Sequence, residues 1–206
     1  RSTLFPYTTL FRSRTGFSGN YAANADIIYY SESQLMKVLP TPLKYKPGKE
    51  EFVFNKETVI TADKEFEQEA KYLVDEMEKL THTRMSIKEQ DSKNAIRLTK
   101  RSASPESYTL TVNAAGCTIA AADAAGAFYG IQSLKQLLPP DSWAPARGGL
   151  TIDAVDMEDQ PRFPFRAFML DVARNFESKA NILRLLEVMS LYKLNTFHFH
   201  LNDDEG

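Results

Sequence analysis

Residues 166–201, RAFMLDVARNFESKANILRLLEVMSLYKLNTFHFHL, pass from a strand-like run to a helical run and back to a strand. Arg166-Ala-Phe-Met-Leu-Asp171 is a short buried-strand run that ends in a carboxylate. Within Asn181–Tyr192, Ile182, Leu185, Leu186 and Met189 recur at helical spacing and share one face. Asn195-Thr-Phe-His-Phe-His-Leu201 is again strand-like and runs into Asp203-Asp204. Strand, helix and strand at this spacing predict a parallel unit, because the helix returns the chain to the edge where the first strand began. Polar residues stand at the C-terminal end of both strands, where barrel enzymes hold their chemistry.

Upstream the texture differs. Leu39-Pro-Thr-Pro-Leu43 is stiff and extended, since each proline fixes its own φ and restrains its predecessor. Glu51–Phe54, Thr58–Thr61, Met85–Lys88, Ala95–Thr99, Tyr108–Val112 and Thr118–Ala121 read as strands. Phe66, Ala70, Leu73, Val74, Met77 and Leu80 define an amphipathic helix with Asp63 as its cap. Asp123 caps a second helix, Ala124–Leu138, which Pro139-Pro140 stops. Asn113-Ala-Ala-Gly116 is a hairpin loop. Residues 39–156 thus predict an α+β domain, a mainly antiparallel sheet carrying two helices. A linker rich in Pro and Gly follows at Asp141–Gly149, and residues 157–206 form the start of a (β/α)8 barrel.

The ends read differently again. Residues 1–13 are set apart because Thr3–Ser13, TLFPYTTLFRS, resembles the in-frame translation of a common sequencing adapter more than a flexible N-terminal extension. Residues 14–38 read as an extension or the tail of an upstream segment. The chain starts at Arg1 and stops inside an apparent loop, so it is expected to be a gene fragment.

Composition narrows the function. The 206 residues carry 25 Lys+Arg against 27 Asp+Glu, a net charge of −2, which supplies no basic field for nucleic acid. The most apolar stretch, Ala114–Ile131, is broken by Asp123 and three glycines, so no membrane-spanning segment is expected. Cys117 is the single cysteine, and no intrachain disulfide can form.

The chemistry-bearing residues cluster near the two strand ends. His198 and His200 share one face of their strand. This is a metal-ligand spacing, as in zinc-dependent hydrolases, but both histidines also fit as hydrogen-bonded structural residues. Asp203, Asp204 and Glu205 form an acidic loop at a strand's C-terminal end, a solvated turn, a cation site or part of a functional site. Arg174 follows the first strand by three residues, as a salt-bridge partner or as a forked donor to hydroxyls or anions.

Phe165-Arg-Ala-Phe-Met-Leu-Asp-Val-Ala-Arg-Asn-Phe176, Tyr192-Lys-Leu-Asn195 and His198-Phe-His-Leu-Asn-Asp-Asp-Glu-Gly206 resemble the opening of the catalytic barrel of family 20 glycoside hydrolases, the β-N-acetylhexosaminidases. Ala124-Ala-Gly-Ala-Phe-Tyr-Gly-Ile-Gln132 and Leu137-Leu-Pro-Pro140 resemble that family's non-catalytic N-terminal domain. Ala167 stands where glycine is common and Asn175 where histidine is frequent, and neither change removes a group the family's chemistry needs.

The resemblance implies hydrolysis of terminal N-acetylglucosamine or N-acetylgalactosamine by substrate-assisted retention. In that chemistry the sugar's 2-acetamido oxygen attacks the anomeric carbon, an aspartate orients the amide and an adjacent glutamate protonates the leaving oxygen. Arg174 then matches the arginine that binds the 3- and 4-hydroxyls. Asp203 matches the aspartate networked to a later histidine. Asp171, Asp204 and His200 fall on positions that form the scaffold or support the residues that touch the sugar. The Asp-Glu pair lies on a later strand than any present here, so the general acid is expected beyond Gly206. The chain alone is expected to be inactive, with an uncovered apolar face over its last 45 residues.

The implied partners are N-acetylhexosamine-terminated glycans; no metal or organic cofactor is implied, and a location outside the cytoplasm is expected for a glycan-degrading enzyme. Two alternatives stand beside this reading: a metal-dependent hydrolase using His198 and His200, and a non-enzymatic sugar-binding module built on the α+β domain.

Overall fold

A computed structural model describes residues 36–81, 84–89, 92–139 and 150–203. The features expected within residues 1–35, Pro140, the linker 141–149, Asp204 and Glu205 lie outside the described residues.

Seven strands form one sheet: β1 (Lys44–Phe54), β2 (Val59–Ala62), β3 (Ser86–Ile87), β4 (Ala95–Lys100), β5 (Tyr108–Asn113), β6 (Gly116–Ala121) and β7 (Leu150–Asp159). Their order is β1-β7-β5-β6-β4-β2-β3. By paired residues the sheet is mostly antiparallel, with long antiparallel ladders joining β1 to β7, β7 to β5 and β5 to β6. The far half, β6 to β4, β4 to β2 and β2 to β3, is parallel.

Strand β7 is the element that the sequence reading leaves unassigned. Its ten residues include Asp153, Asp156, Glu158 and Asp159, which give the run a loop-like polarity. Alternation also fails where Ala154 and Val155 are both buried. Position overrides the composition: β7 lies inside the sheet between β1 and β5, and its ladder with β1 shifts register between Pro47 and Glu51. The strand runs on past residue 156, carrying the sheet to Asp159.

Helix α1 (Glu67–Thr81) follows a short 3-10 turn, Lys64–Phe66. Asp63 occupies the N-cap position of that turn, but its side chain makes no cap hydrogen bond. Its Oδ2 accepts the Lys100 backbone N–H at 2.6 Å instead, tying the helix start to β4. At helix α2 (Ala124–Leu137) the cap is as expected, with Asp123 Oδ1 accepting the Gly126 N–H at 2.8 Å. The two helices and one sheet face enclose the core, in which Phe52, Phe66, Leu73, Met77, Leu98, Leu110, Ile119, Ile131 and Leu134 are buried. Full burial of each such side chain contributes about 1.5–3 kcal/mol.

Helix α2 is buried on nearly every face, including Gln132, Ser133 and Lys135. A helix that is apolar almost all round has cover on two sides. One side is the sheet; the other is α3 (Lys179–Leu191), whose Leu191 carbonyl accepts a 2.9 Å hydrogen bond from Gln136 Nε2. Helix α3 joins β8 (Ala167–Asp171) to β9 (Thr196–His200), and the two strands pair in parallel. This is the expected barrel opening. It leaves Phe163, Phe165, Phe168, Met169, Leu183 and Leu201 exposed. Among the described residues, no helix is long and apolar enough to cross a membrane.

Candidate functional site

The β8–β9 ladder sets Asp171 beside His200 and Met169 beside His198. Side chains alternate along a strand, so Met169, Asp171, His198 and His200 share one face. Phe168, Leu170, Phe197 and Phe199 occupy the other, where the Phe197 and Phe199 rings stack at 5.3 Å.

Asp171 ends β8 and shapes the turn beyond it. Its Oδ1 accepts the backbone N–H of both Ala173 and Arg174, each at 3.1 Å, and this Asx-type arrangement turns the chain off the strand. Its Oδ2 accepts from Arg174 Nη1 at 3.1 Å. The other arm of the guanidinium, Nη2, donates to Asp203 Oδ2 at 2.5 Å. Arg174 is thus held between two carboxylates, one from each strand end.

With its side chain 73% exposed, Arg174 adds little stability through these pairs. Their effect is orientation, a fixed planar fork presented to solvent at the C-terminal end of the sheet. The Arg174 backbone N–H holds the Asp171 carboxyl below its usual range, and the charges of His200 and Arg174 add to that against the opposing effect of burial.

The structure therefore brings Arg174 and Asp203 into direct contact and adds Asp171 to them. The sequence reading put Asp171 at a scaffold or supporting position, and the three-residue step to Arg174 is the local signal for this contact. His200 Nε2 lies 3.9 Å from Asp203 Oδ2, too far for a hydrogen bond. That atom is buried and has no hydrogen-bond partner among the described residues. The rings of His198 and His200 stand 6.4 Å apart. Among the described residues, no group of three or more His, Cys, Asp or Glu is placed to hold a metal ion.

A second polar cluster lies at the opposite ends of the strands, where the α+β domain meets the barrel unit. Lys193 Nζ donates to Asp159 Oδ2 at 2.9 Å and to Tyr108 Oη at 2.8 Å. Tyr108 Oη also lies 2.6 Å from Ser133 Oγ. Burial pushes the Lys193 ammonium below its usual range, with Asp159 pulling the other way, and pushes the Tyr108 hydroxyl far up. Beside them Arg166 Nη2 reaches Glu106 Oε2 at 2.6 Å and Tyr129 Oη at 2.7 Å. Sequence reasoning missed this cluster, because its members lie up to 85 residues apart.

The chain matches two family models: "Glycosyl hydrolase family 20, domain 2" over residues 35–160, and "Glycosyl hydrolase family 20, catalytic domain" over residues 163–206. It is 34% identical over 179 residues to a beta-hexosaminidase of Porphyromonas gingivalis, covering 83% of this chain and 23% of the relative. It is 48% identical over 100 residues to a beta-hexosaminidase of Vibrio vulnificus, covering 48% of this chain and 11% of that one. Among solved structures, the GH20 beta-N-acetylhexosaminidase of Streptomyces coelicolor A3(2) superimposes with a TM-score of 0.76 at 33% identity, covering 82% of this chain and 35% of that one. The exo beta-N-acetylglucosaminidase of Vibrio harveyi with N-acetylglucosamine gives 0.73 at 28% identity, covering 82% and 26%. The chain spans less than a quarter of the length of the curated relatives it matches here.

Proposed function

Because the chain belongs to glycosyl hydrolase family 20, we propose that it carries the N-terminal domain and first βαβ unit of an exo-acting β-N-acetylhexosaminidase. The substrates are glycans ending in N-acetylglucosamine or N-acetylgalactosamine. The observation that carries this reading is the Arg174 fork held between Asp171 and Asp203 at the strand C-termini. A guanidinium fixed in this way can donate from neighbouring N–H groups to two adjacent ring hydroxyls, the 3- and 4-hydroxyls of the terminal sugar.

Hydrolysis then takes the substrate-assisted course. The 2-acetamido carbonyl oxygen attacks the anomeric carbon while the glycosidic C–O bond breaks. A glutamic acid gives its proton to the leaving oxygen, and an aspartate beside it orients the acetamide. Asp203 acts on that acid indirectly, through a hydrogen-bonded histidine. Among the described residues none fills the acid's place, because the barrel strand ends there are those of β8 and β9 alone. A full barrel takes about 250 residues, and the 206-residue polypeptide alone is inactive.

The test is a chimaera. Residues 36–206 replace the aligned stretch of the Porphyromonas gingivalis relative, and turnover of an aryl N-acetyl-β-glucosaminide is followed. The chimaera turns over and Arg174→Ala lowers kcat/KM by about a hundredfold, as expected for losing two charge-assisted hydrogen bonds. The 206-residue chain gives no rate above blank. A folded chimaera indifferent to Arg174→Ala sinks the role of Arg174, and turnover by the short chain sinks its inactivity.

A further inference from the structure

We propose that Arg166 is a positioning residue, a register clamp that couples docking of the α+β domain to the meeting of Arg174 with Asp203 at the other end of β8 and β9. Its backbone begins the clamp. The Arg166 carbonyl accepts the N–H of Asn195 at 2.9 Å and of Thr196 at 3.1 Å, while its own N–H donates to Asn195 Oδ1 at 3.0 Å. Asn195 Nδ2 completes the tie by donating to Pro164 O at 2.8 Å. These bonds lock the start of β8 to the start of β9.

The side chain of Arg166 extends the lock in three directions. Nε donates to the Lys193 carbonyl at 2.8 Å, within the turn that feeds β9. Nη1 donates to the Phe163 carbonyl at 2.8 Å, within the segment that feeds β8. Nη2 leaves the barrel unit altogether and reaches Glu106 and Tyr129 of the α+β domain. The guanidinium carbon lies 5.2 Å from the Tyr129 ring centroid, and the side chain is only 14% exposed. One planar group therefore touches both strand approaches and the neighbouring domain.

The clamp matters at the far end because register is propagated along a strand pair. The ladder runs from Ala167 opposite Thr196 to Asp171 opposite His200. Arg174 lies three residues beyond Asp171, and Asp203 three beyond His200. A slip of one residue would turn one strand's set of side chains to the opposite face. Asp171 and His200 would then no longer stand side by side, and the Arg174 fork would lose one of its two carboxylates. The distance bridged is about 16 Å, five residues of strand.

The consequence for sugar binding rests on the proposed role of Arg174, but the geometric coupling does not, and it is measured without activity. The 206-residue chain is prepared with Arg166→Met, Arg166→Lys and Glu106→Gln. Amide hydrogen exchange is followed in β9 and in β4–β6, and the Asp171 carboxyl is titrated by NMR. In Arg166→Met, β9 amides exchange about tenfold faster while β4–β6 stay protected, the size expected from losing charge-assisted hydrogen bonds. The Asp171 titration moves up by the share that His200, opposite it on β9, contributes, while the local bond from the Arg174 backbone N–H stays in place. Arg166→Lys fails to rescue either readout, because an ammonium cannot serve the three directions at once. Glu106→Gln, which leaves the backbone bonds intact, shifts both readouts in the same direction by less.

Unchanged β9 exchange and an unmoved Asp171 in Arg166→Met overturn the proposal. So does loss of protection in β4–β6 together with β9, since Arg166 would then act on the fold as a whole. If the Arg166 variants misfold, Glu106→Gln decides alone: no effect on β9 or Asp171 overturns the coupling.

Discussion

The Lys193 ammonium lies 2.9 Å from Asp159 Oδ2, with the two side chains only 7% and 12% exposed. The pair joins the turn after α3 to the last residue of β7. Lys193 occupies the C′ position of α3 in the left-handed conformation, φ 60°, where glycine is the usual residue. Leu194 N–H bonds to Met189 O and Lys193 N–H to Ser190 O, which is the Schellman pattern of helix termination. A non-glycine residue here costs about 1–2 kcal/mol. The cost is offset because only a long cationic side chain at this point reaches Asp159 and Tyr108.

Lys193→Met leaves the Asp159 carboxylate buried without its counter-charge, and stability falls by about 3–5 kcal/mol. The double variant Lys193→Met with Asp159→Asn recovers a large part of that loss. Lys193→Gly relieves the backbone strain but still ends below the parent chain. Urea unfolding of the four proteins checks the series, and a Lys193→Gly chain more stable than the parent would be the contrary result.

Glu76 bonds to Lys135 and to Lys79, the latter at 2.6 Å, and bridges α1 to α2. Burial alone would raise its pKa, but the hydrogen bonds from the two lysines hold the carboxyl below its usual value of 4.5. The unfolded chain therefore binds more protons than the folded one in this acid window. The stabilisation is fully present above about pH 4.5 and is lost as pH falls through the lowered folded value. Thermal melts between neutral pH and about pH 3 should show a shallower acid limb in Glu76→Gln.

Cys117 sits fully buried on β6, and burial pushes its thiol up to about 12 from the usual 9.0. The folded chain keeps this proton at pH values where the unfolded chain releases it. Its contribution is complete below about pH 9 and declines as pH rises toward 12. Cys117→Ala flattens stability across that alkaline range. In the parent chain an alkylating reagent at about pH 8 labels Cys117 only as fast as the sheet opens.

Gly126 and Gly130 let α2 lie close against the sheet. A Cβ on Gly126 would stand 2.5 Å from the Ser107 carbonyl oxygen, and one on Gly130 would stand 2.4 Å from Ile119 Cγ2. Alanine normally favours a helix, but here it lifts α2 off β5 and β6. Gly126→Ala costs about 1–3 kcal/mol, more than the propensity gain of about 1 kcal/mol. Gly130→Ala costs less if the Ile119 side chain rotates away. Denaturation midpoints of the two variants give the ordering directly.

Local signals carried much of this protein. The 3.6-residue spacing of Phe66 to Leu80, the Asp123 cap, the alternation in β4–β6 and the strand–helix–strand rhythm of residues 166–201 are properties of neighbouring residues. Each of those elements forms where the sequence places it. Arg174 and Asp203 were legible as separate residues because their strand-end positions stem from the same rhythm.

The hidden features depend on packing between segments far apart in the chain. Strand β7 takes its strand conformation from β1 and β5 on either side, against its own acidic composition. Asp63 turned from capping a helix to accepting the Lys100 N–H because β4 lay within reach. Apart from β7, the sequence by itself determined which elements form and which residues end the two barrel strands. Only the tertiary structure decided that Arg174 is gripped by Asp171 and Asp203, and that Arg166 and Lys193 bind the barrel unit to the sheet. Those contacts need a register and a domain docking, and both arise from burying surfaces that no local window of sequence contains.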